Sequence, residues 1–466
     1  MKKIFTLFCV VALCTTIVSA QESNDGFTIV NSIAQLQKAI KKDGGKIRLA
    51  PNEYTIESKG AVSYDEFDRY KNGKLQEAKF ELRTILHFSG NNNTVDLSGS
   101  TINIDTKLLS QFGNIEFAEV LISGNDNIIK GLKVVDCGGA IPTRGSNTMY
   151  IMGDRNTVTE ADLFVDGSSP YGYGHLLGKG GGSMVKLRKH CSLLITGVDT
   201  KLLNSKILTH GYGHGIYLQG AVNTWIENCV VEGQMRSTDE MLAEKFGPAF
   251  DCGFKSTYHP GVIVKGEMKA LSEDAYRIYA SGVNGRKTVG LNVVNCIAIK
   301  MRTGFDVSLG STDGDLNVIN CEAIECQFGY SLSSGAVVEN CKSDAIYGPV
   351  LTFPYANSRG SKADIEITAG ESKEFPYLRA AEINGNDHNI DIKIAEGVEC
   401  NLPICFGESF RSDVAMFRDP NTDINRVSGA KNVTLTNNSA LKIILNNRTS
   451  SCNITTNGEV ENSGTK

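Results

Sequence analysis

Along most of the chain, apolar and polar residues alternate in runs of three to five, separated by corners of one or two residues. Three stretches align without a gap: LISGNDNIIKGLKVVDC (121–137), YIMGDRNTVTEADLFVD (150–166) and YLQGAVNTWIENCVVEG (217–233). Each carries a Gly followed three residues later by Asn, a pairing that recurs at Gly90/Asn93 and Gly429/Asn432. Looser copies begin near Gly197, Gly282, Gly310, Gly335 and Gly385. Period-two alternation predicts short strands, and self-similarity along the chain predicts a stacked repeat. One such coil cannot bury its inward residues alone, but parallel coils about 4.8 Å apart pile equivalent positions into a continuous core. Asn228, Asn295, Asn320 and Asn340, each followed by Cys, are then expected to form a corner ladder beside a stack of small buried thiols. An antiparallel sandwich with Gly-Asn turns is the alternative. Gapless copies at irregular intervals, with insertions at a similar phase, favour the stack.

Ahead of the repeats, Ser32–Lys42 places Ile33, Leu36, Ala39 and Ile40 on one face of a helix, with Ser32 and Gln35 as a capping box. Asp43-Gly44-Gly45 ends it, and strand alternation follows through Ile56, broken by a turn at Pro51. Helix, Gly-Gly, short strand, Pro turn and Tyr strand resemble the entry cap of pectin-lyase-like right-handed parallel β-helix proteins, and the internal repeats extend that resemblance. It implies an all-β solenoid with an N-terminal capping helix and long loop insertions. The expected divisions are a signal peptide over 1–20, the cap over 21–56, the β-helix over 57–346 and less regular coils over 347–466.

Composition narrows the setting. MKKIFTLFCVVALCTTIVSA has a basic start, an apolar run and a small-residue exit, which predicts export to the periplasm, cell surface or medium. No later segment is apolar for long enough to span a membrane. A net charge of −5 with 21% charged residues gives no reason to expect nucleic acid. Oligomeric state is not readable.

Chemistry is expected where the repeats are interrupted, at 61–76, 166–186, 232–271 and 401–421. Gly-Tyr-Gly-His occurs twice, at 172–175 and 211–214. His175 and His190 read as turn residues bonding backbone, whereas His210 and His214 border the largest insert. That insert supplies Arg236, Asp239, Lys255, Tyr258, His259 and Lys269, and the strand that resumes the pattern supplies Glu273, Asp274 and Arg277. An Arg in a coil strand is expected on the outer sheet surface, since the core is apolar. Arg277, Lys255, His214 and Tyr258 are the catalytic candidates. Arg236, His210, His259, Lys269, Glu273, Asp274 and Asp239 are the substrate-binding candidates.

Exported proteins resembling this fold handle polysaccharides in two ways. Uronate lyases remove the proton α to the sugar carboxylate and need a base, an acid and cations. Glycoside hydrolases need two carboxyl groups at a set separation. A basic insert rich in His and Tyr favours an acidic polysaccharide and β-elimination. A hydrolase using Asp239, Asp251, Glu273 or Asp274, and a non-catalytic carbohydrate-binding or adhesion β-helix, are the alternatives. The Lys–Arg pair and the calcium held by Asn and Glu in chondroitinase B and alginate lyases of this fold match Lys255 or Lys269 with Arg277 by residue type alone. No motif in the chain calls for a cofactor, and Ca2+ enters only through the resemblance.

Overall fold

The corners of the repeat are left-handed backbone positions. Asn228, Asn295, Asn320 and Asn340 have φ of 53°, 52°, 53° and 50°, values that Asn adopts more readily than most residues. Their side-chain amides form the expected ladder: Asn295 donates to Asn228 at 3.3 Å, Asn320 to Asn295 at 3.3 Å, and Asn340 to Asn320 at 2.8 Å. The following thiols stack inside, with the backbone N–H of Cys229, Cys296 and Cys321 each directed at the Sγ of the next coil at 3.4 Å. None of the eleven described cysteines is joined in a disulfide.

The Gly-x-x-Asn signature is one device with two parts. A Cβ on Gly124 would lie 2.0 Å from the carbonyl oxygen of Gly90, and one on Gly153 would lie 2.0 Å from that of Gly124. Only glycine lets successive coils approach so closely at this corner. The Asn three residues on then bonds across the same step: Asn93 N–H donates to Asn127 Oδ1 at 2.9 Å, and Asn127 N–H to Asn156 Oδ1 at 3.0 Å.

This computed structural model describes residues 21–22, 25–57, 63–68, 70–71, 74–111, 113, 115–138, 145–178, 184–258, 261–282, 284–308, 316–370, 379–408 and 428–463. The segment read as a signal peptide, His259 and most of the 401–421 insertion lie outside them. The chain winds as a right-handed parallel β-helix. One wall is a 14-stranded sheet from Ser63–Phe67 to Val460–Asn462, parallel throughout except where Ser63–Phe67 pairs antiparallel with Phe80–Phe88. A 23-stranded sheet forms the remaining faces, in which strands such as Val222–Glu227 and Val230–Glu232 meet at an Asn-Cys corner. The C-terminal coils continue the 23-stranded sheet through Lys362–Ile367, Asn389–Ile394 and Thr434–Asn437, and the 14-stranded sheet through Ala381–Ile383, Ile404–Phe406 and Ile443–Leu445.

Helix Ile33–Ala39 begins at Ser32, whose Oγ accepts from Gln35 N–H at 3.2 Å. The Gln35 side chain returns the bond to Asn31 N–H at 2.7 Å, one residue earlier than the capping-box reading placed it. Leu36 and Ile40 from this segment enter the main core. Within that core Tyr276, Phe305 and Tyr330 stack nearly parallel, with ring centroids 4.8 and 5.0 Å apart. Among the described residues, no helix is long and apolar enough to cross a membrane.

Candidate active site

The aromatic stack decides where the polar side chains of the same strands point. Because successive residues of a strand face opposite sides, Tyr276 in the core sends Arg277 to the outer surface of the 14-stranded sheet. Its register neighbours are Tyr217 one coil earlier and Asp306 one coil later. The outer row thus runs Tyr150, Leu194, Tyr217, Arg277, Asp306, Ser331. A groove of about 280 Å³ lies on this face, with Tyr150, Lys189, Leu194, His214, Tyr217 and Tyr279 among its walls.

At one end of the groove, three cations interleave with three carboxylates. Arg302 clasps Asp274 with two bonds, Nη2–Oδ2 at 2.7 Å and Nε–Oδ1 at 3.0 Å. Arg277 Nη1 reaches Asp274 Oδ2 at 3.1 Å and also contacts Asp306. Lys189 Nζ lies 2.6 Å from Glu273 Oε2. Burial alone pushes the acids toward their neutral forms. For Glu273 the charges of His214 (in the protonated form it takes only at low pH), Lys189 and Arg302 outweigh it, and for Asp274 those of Arg302, Arg277 and protonated His214 do, so both stay well below the usual carboxylate range.

His214 stands at the centre. Its Nε2 is 2.7 Å from Tyr279 Oη and 3.2 Å from Glu273 Oε2, and its Nδ1 is 3.5 Å from Asp274 Oδ2. Burial brings its pKa down to about 4, against the pull of Glu273 and Asp274, so the imidazole is neutral at pH 7. Tyr279 lies half-buried over the same spot, with the Arg277 guanidinium 4.8 Å from its ring centroid. Burial raises its hydroxyl pKa, and Arg277 opposes that rise.

A pH dependence follows. A histidine whose folded pKa lies below its unfolded value of about 6.5 costs the fold nothing above that pH. It destabilises the fold progressively as pH falls toward about 4. Glu273 and Asp274 act in the same direction at lower pH, since their stabilisation is full above the ordinary carboxylate range and lost below it. The melting temperature is therefore expected to fall steadily from pH 6.5 downward, and His214→Gln should flatten the upper part of that decline. A profile flat between pH 6.5 and 4 in the unmodified chain would contradict the neutral buried imidazole.

The structure brings His214, Glu273, Asp274 and Arg277 together. It places Tyr258 at their edge, its ring 4.5 Å from that of His175, to which Arg302 Nη1 donates at 3.4 Å. The other candidates sit elsewhere. Lys255 is exposed, in an isolated bridge with Val262. Arg236 ties the insert to the Gly-rich segment, bonding Glu244 at 2.6 Å and the Gly172 carbonyl at 3.1 Å. Asp239 accepts from Gly266 N–H at 2.9 Å, and Lys269 pairs with Glu267 at 2.6 Å. His210 bonds Gln234 at 2.6 Å beside Phe164 and Tyr171, and lines a separate hollow. Lys189, Arg302 and Asp306 join the site although none was among the candidates read from sequence, and so does Tyr279, from the same strand as Arg277. Aligning DAYRI with TGFDV and FGYSL by their core aromatics would have set Asp306 beside Arg277.

No protein-family model and no curated protein matches the chain. Solved structures do. The alginate lyase AlyF-OU02 in complex with G6 shares 14% identity and a TM-score of 0.55, over 95% of this chain and 86% of that one. A PL6 alginate lyase in complex with a trisaccharide shares 13% and 0.52, over 94% and 87%. Both likenesses bear out the β-helix read from the repeats.

Proposed function

We propose that the protein is an exported polysaccharide lyase that cleaves an acidic, uronate-containing chain by β-elimination in the groove walled by Lys189, His214, Tyr217 and Tyr279. The observation that carries this reading is the 2.7 Å contact between His214 Nε2 and Tyr279 Oη, with the Arg277 guanidinium over the Tyr279 ring and Lys189 in the same groove wall. Oη takes the proton α to the substrate carboxylate as its own proton passes to Nε2 of the neutral imidazole, so that no free phenolate forms. The electrons of that C–H bond form the C4=C5 double bond as the C4–O bond breaks. The leaving oxygen then receives a proton from the His214–Tyr279 pair, so one proton is taken and one returned. Arg277 and Lys189 stabilise the charge that develops on the carboxylate. Asp274 beside Nδ1 orients the ring, and the likeness to alginate lyases in complex with oligosaccharides agrees with an acidic glycan as ligand.

The hydrolase alternative is weaker. It requires a carboxylic acid protonated near neutral pH, whereas Glu273 and Asp274 are held ionised by their cations. The same pairing bears on calcium. Both carboxylates are already compensated by Lys189, Arg277 and Arg302, so the set does not fit a resident Ca2+, and no step here runs through one. The test is incubation of the chain with alginate, pectate, chondroitin, hyaluronan and bacterial glucuronans, following the ultraviolet band of an unsaturated uronate. Growth of that band on one polymer is expected. New reducing ends without it would transfer the assignment to hydrolysis.

A further inference from the structure

His190 was read from sequence as a turn residue bonding backbone, but it opens strand His190–Ile195 and faces the interior. Two carboxylates converge on it, Asp136 Oδ2 at 3.2 Å and Glu119 Oε1 at 3.6 Å from Nε2. All three side chains are fully buried. Both Glu119 oxygens and Asp136 Oδ1 lack a hydrogen-bond partner. The ion pairs described for these two acids run only to His190. Unpaired buried carboxylate oxygens are costly, and a cluster of them in a folded core calls for a cation or a shared proton.

The geometry points to a closed structural site for one small divalent transition-metal ion, of the Zn2+ class, held by Glu119, Asp136 and His190. Their ligand atoms all lie within 4.8 Å of one another. Around a tetrahedral ion with bonds of about 2.0–2.2 Å, ligand atoms stand roughly 3.3–3.6 Å apart, and the separations from Nε2 of 3.2 and 3.6 Å match that edge. His190 Nδ1 is 2.6 Å from Ser146 Oγ, the outer partner that turns the Nε2 lone pair toward the carboxylates. Thr148 Oγ1 lies 3.1 Å from Nε2. The imidazole selects against Mg2+ and Ca2+, and three donors are too few for Ca2+. Two carboxylates and a divalent ion sum to zero charge, which suits a site without solvent. Because the site is closed, the ion enters as the chain folds. The strand it anchors also carries Lys189 at its head, next to the groove.

The test is to unfold the full chain in chelator and refold it with Zn2+ or Co2+. Bound metal is then counted by mass spectrometry after gel filtration. One equivalent per chain is expected, with the strong visible absorption of tetrahedral Co2+ and a higher melting temperature than protein refolded in chelator. Glu119→Gln, which keeps the shape and removes the charge, should lower occupancy at least tenfold. Below about a tenth of an equivalent in the unmodified chain, or undiminished metal in Glu119→Gln, would overturn the site. A metal-free chain whose Glu119→Gln variant melts higher would assign the cluster to a shared proton instead. None of these readouts depends on activity, so they stand or fall apart from the lyase reading.

Discussion

Tyr279→Phe is expected to lower kcat about a thousandfold on the polymer that the native chain depolymerises, with KM changed little. The substitution removes one oxygen and keeps the ring on which Arg277 packs. Binding surface therefore survives while the group that exchanges a proton with the substrate is lost. General acid–base catalysis contributes roughly 10²–10⁴ in rate, and the neutral His214 behind Tyr279 cannot replace it, since its side chain is only 4% exposed. The measurement is steady-state kinetics by ultraviolet absorbance, with thermal melting as a control. A kcat within threefold of the native value would remove Tyr279 from the chemistry. A rise in KM at constant kcat would make it a binding residue.

Arg277→Met is expected to abolish activity and destabilise the fold by about 3–5 kcal/mol. Arg277 is 8% exposed and touches two carboxylates, Asp274 and Asp306, of which Asp306 is 1% exposed. Cutting the side chain back leaves charge in a site from which water is excluded. Asp274 keeps the two bonds from Arg302, so the larger share of the loss should fall on Asp306. Adding Asp306→Asn to Arg277→Met should therefore recover much of the stability but none of the activity. Urea unfolding of the two variants separates these effects. Equal stability of the single and double variants would show that Asp306 does not depend on Arg277.

The hydrolase and lyase readings also separate by charge state. In the site as folded, every carboxylate close to His214 is matched by a cation, and the neutral groups are an imidazole and a phenol. That distribution suits removal of a carbon-bound proton beside a carboxylate better than protonation of a glycosidic oxygen by a carboxylic acid.

The repeat was legible because its causes are local. Gly124 and Gly153 are required by contact with the coil before them, and Asn228, Asn295, Asn320 and Asn340 by a left-handed corner. The resulting signatures recur along the chain and can be aligned by eye. The outward direction of Arg277 was legible for a similar reason, since a charged side chain in an apolar coil has only the outer face. What the sequence did not determine is which residues meet. Lys189 and Glu273 lie 84 positions apart, and His175 and Arg302 lie 127 apart. Coil length varies: the Asn corners bond across 24, 67, 25 and 20 residues in succession. A charge in the 232–271 insert therefore looks as near to Arg277 in sequence as the partners from other coils look remote. The insert spends most of its charges on its own folding, as Arg236 with Glu244 and Lys269 with Glu267 do. Sequence determined the coil, its corners and the outer row. Stacking decided which coils lie side by side, and with them the set of His214, Tyr279, Arg277 and Lys189 and the buried cluster of Glu119, Asp136 and His190.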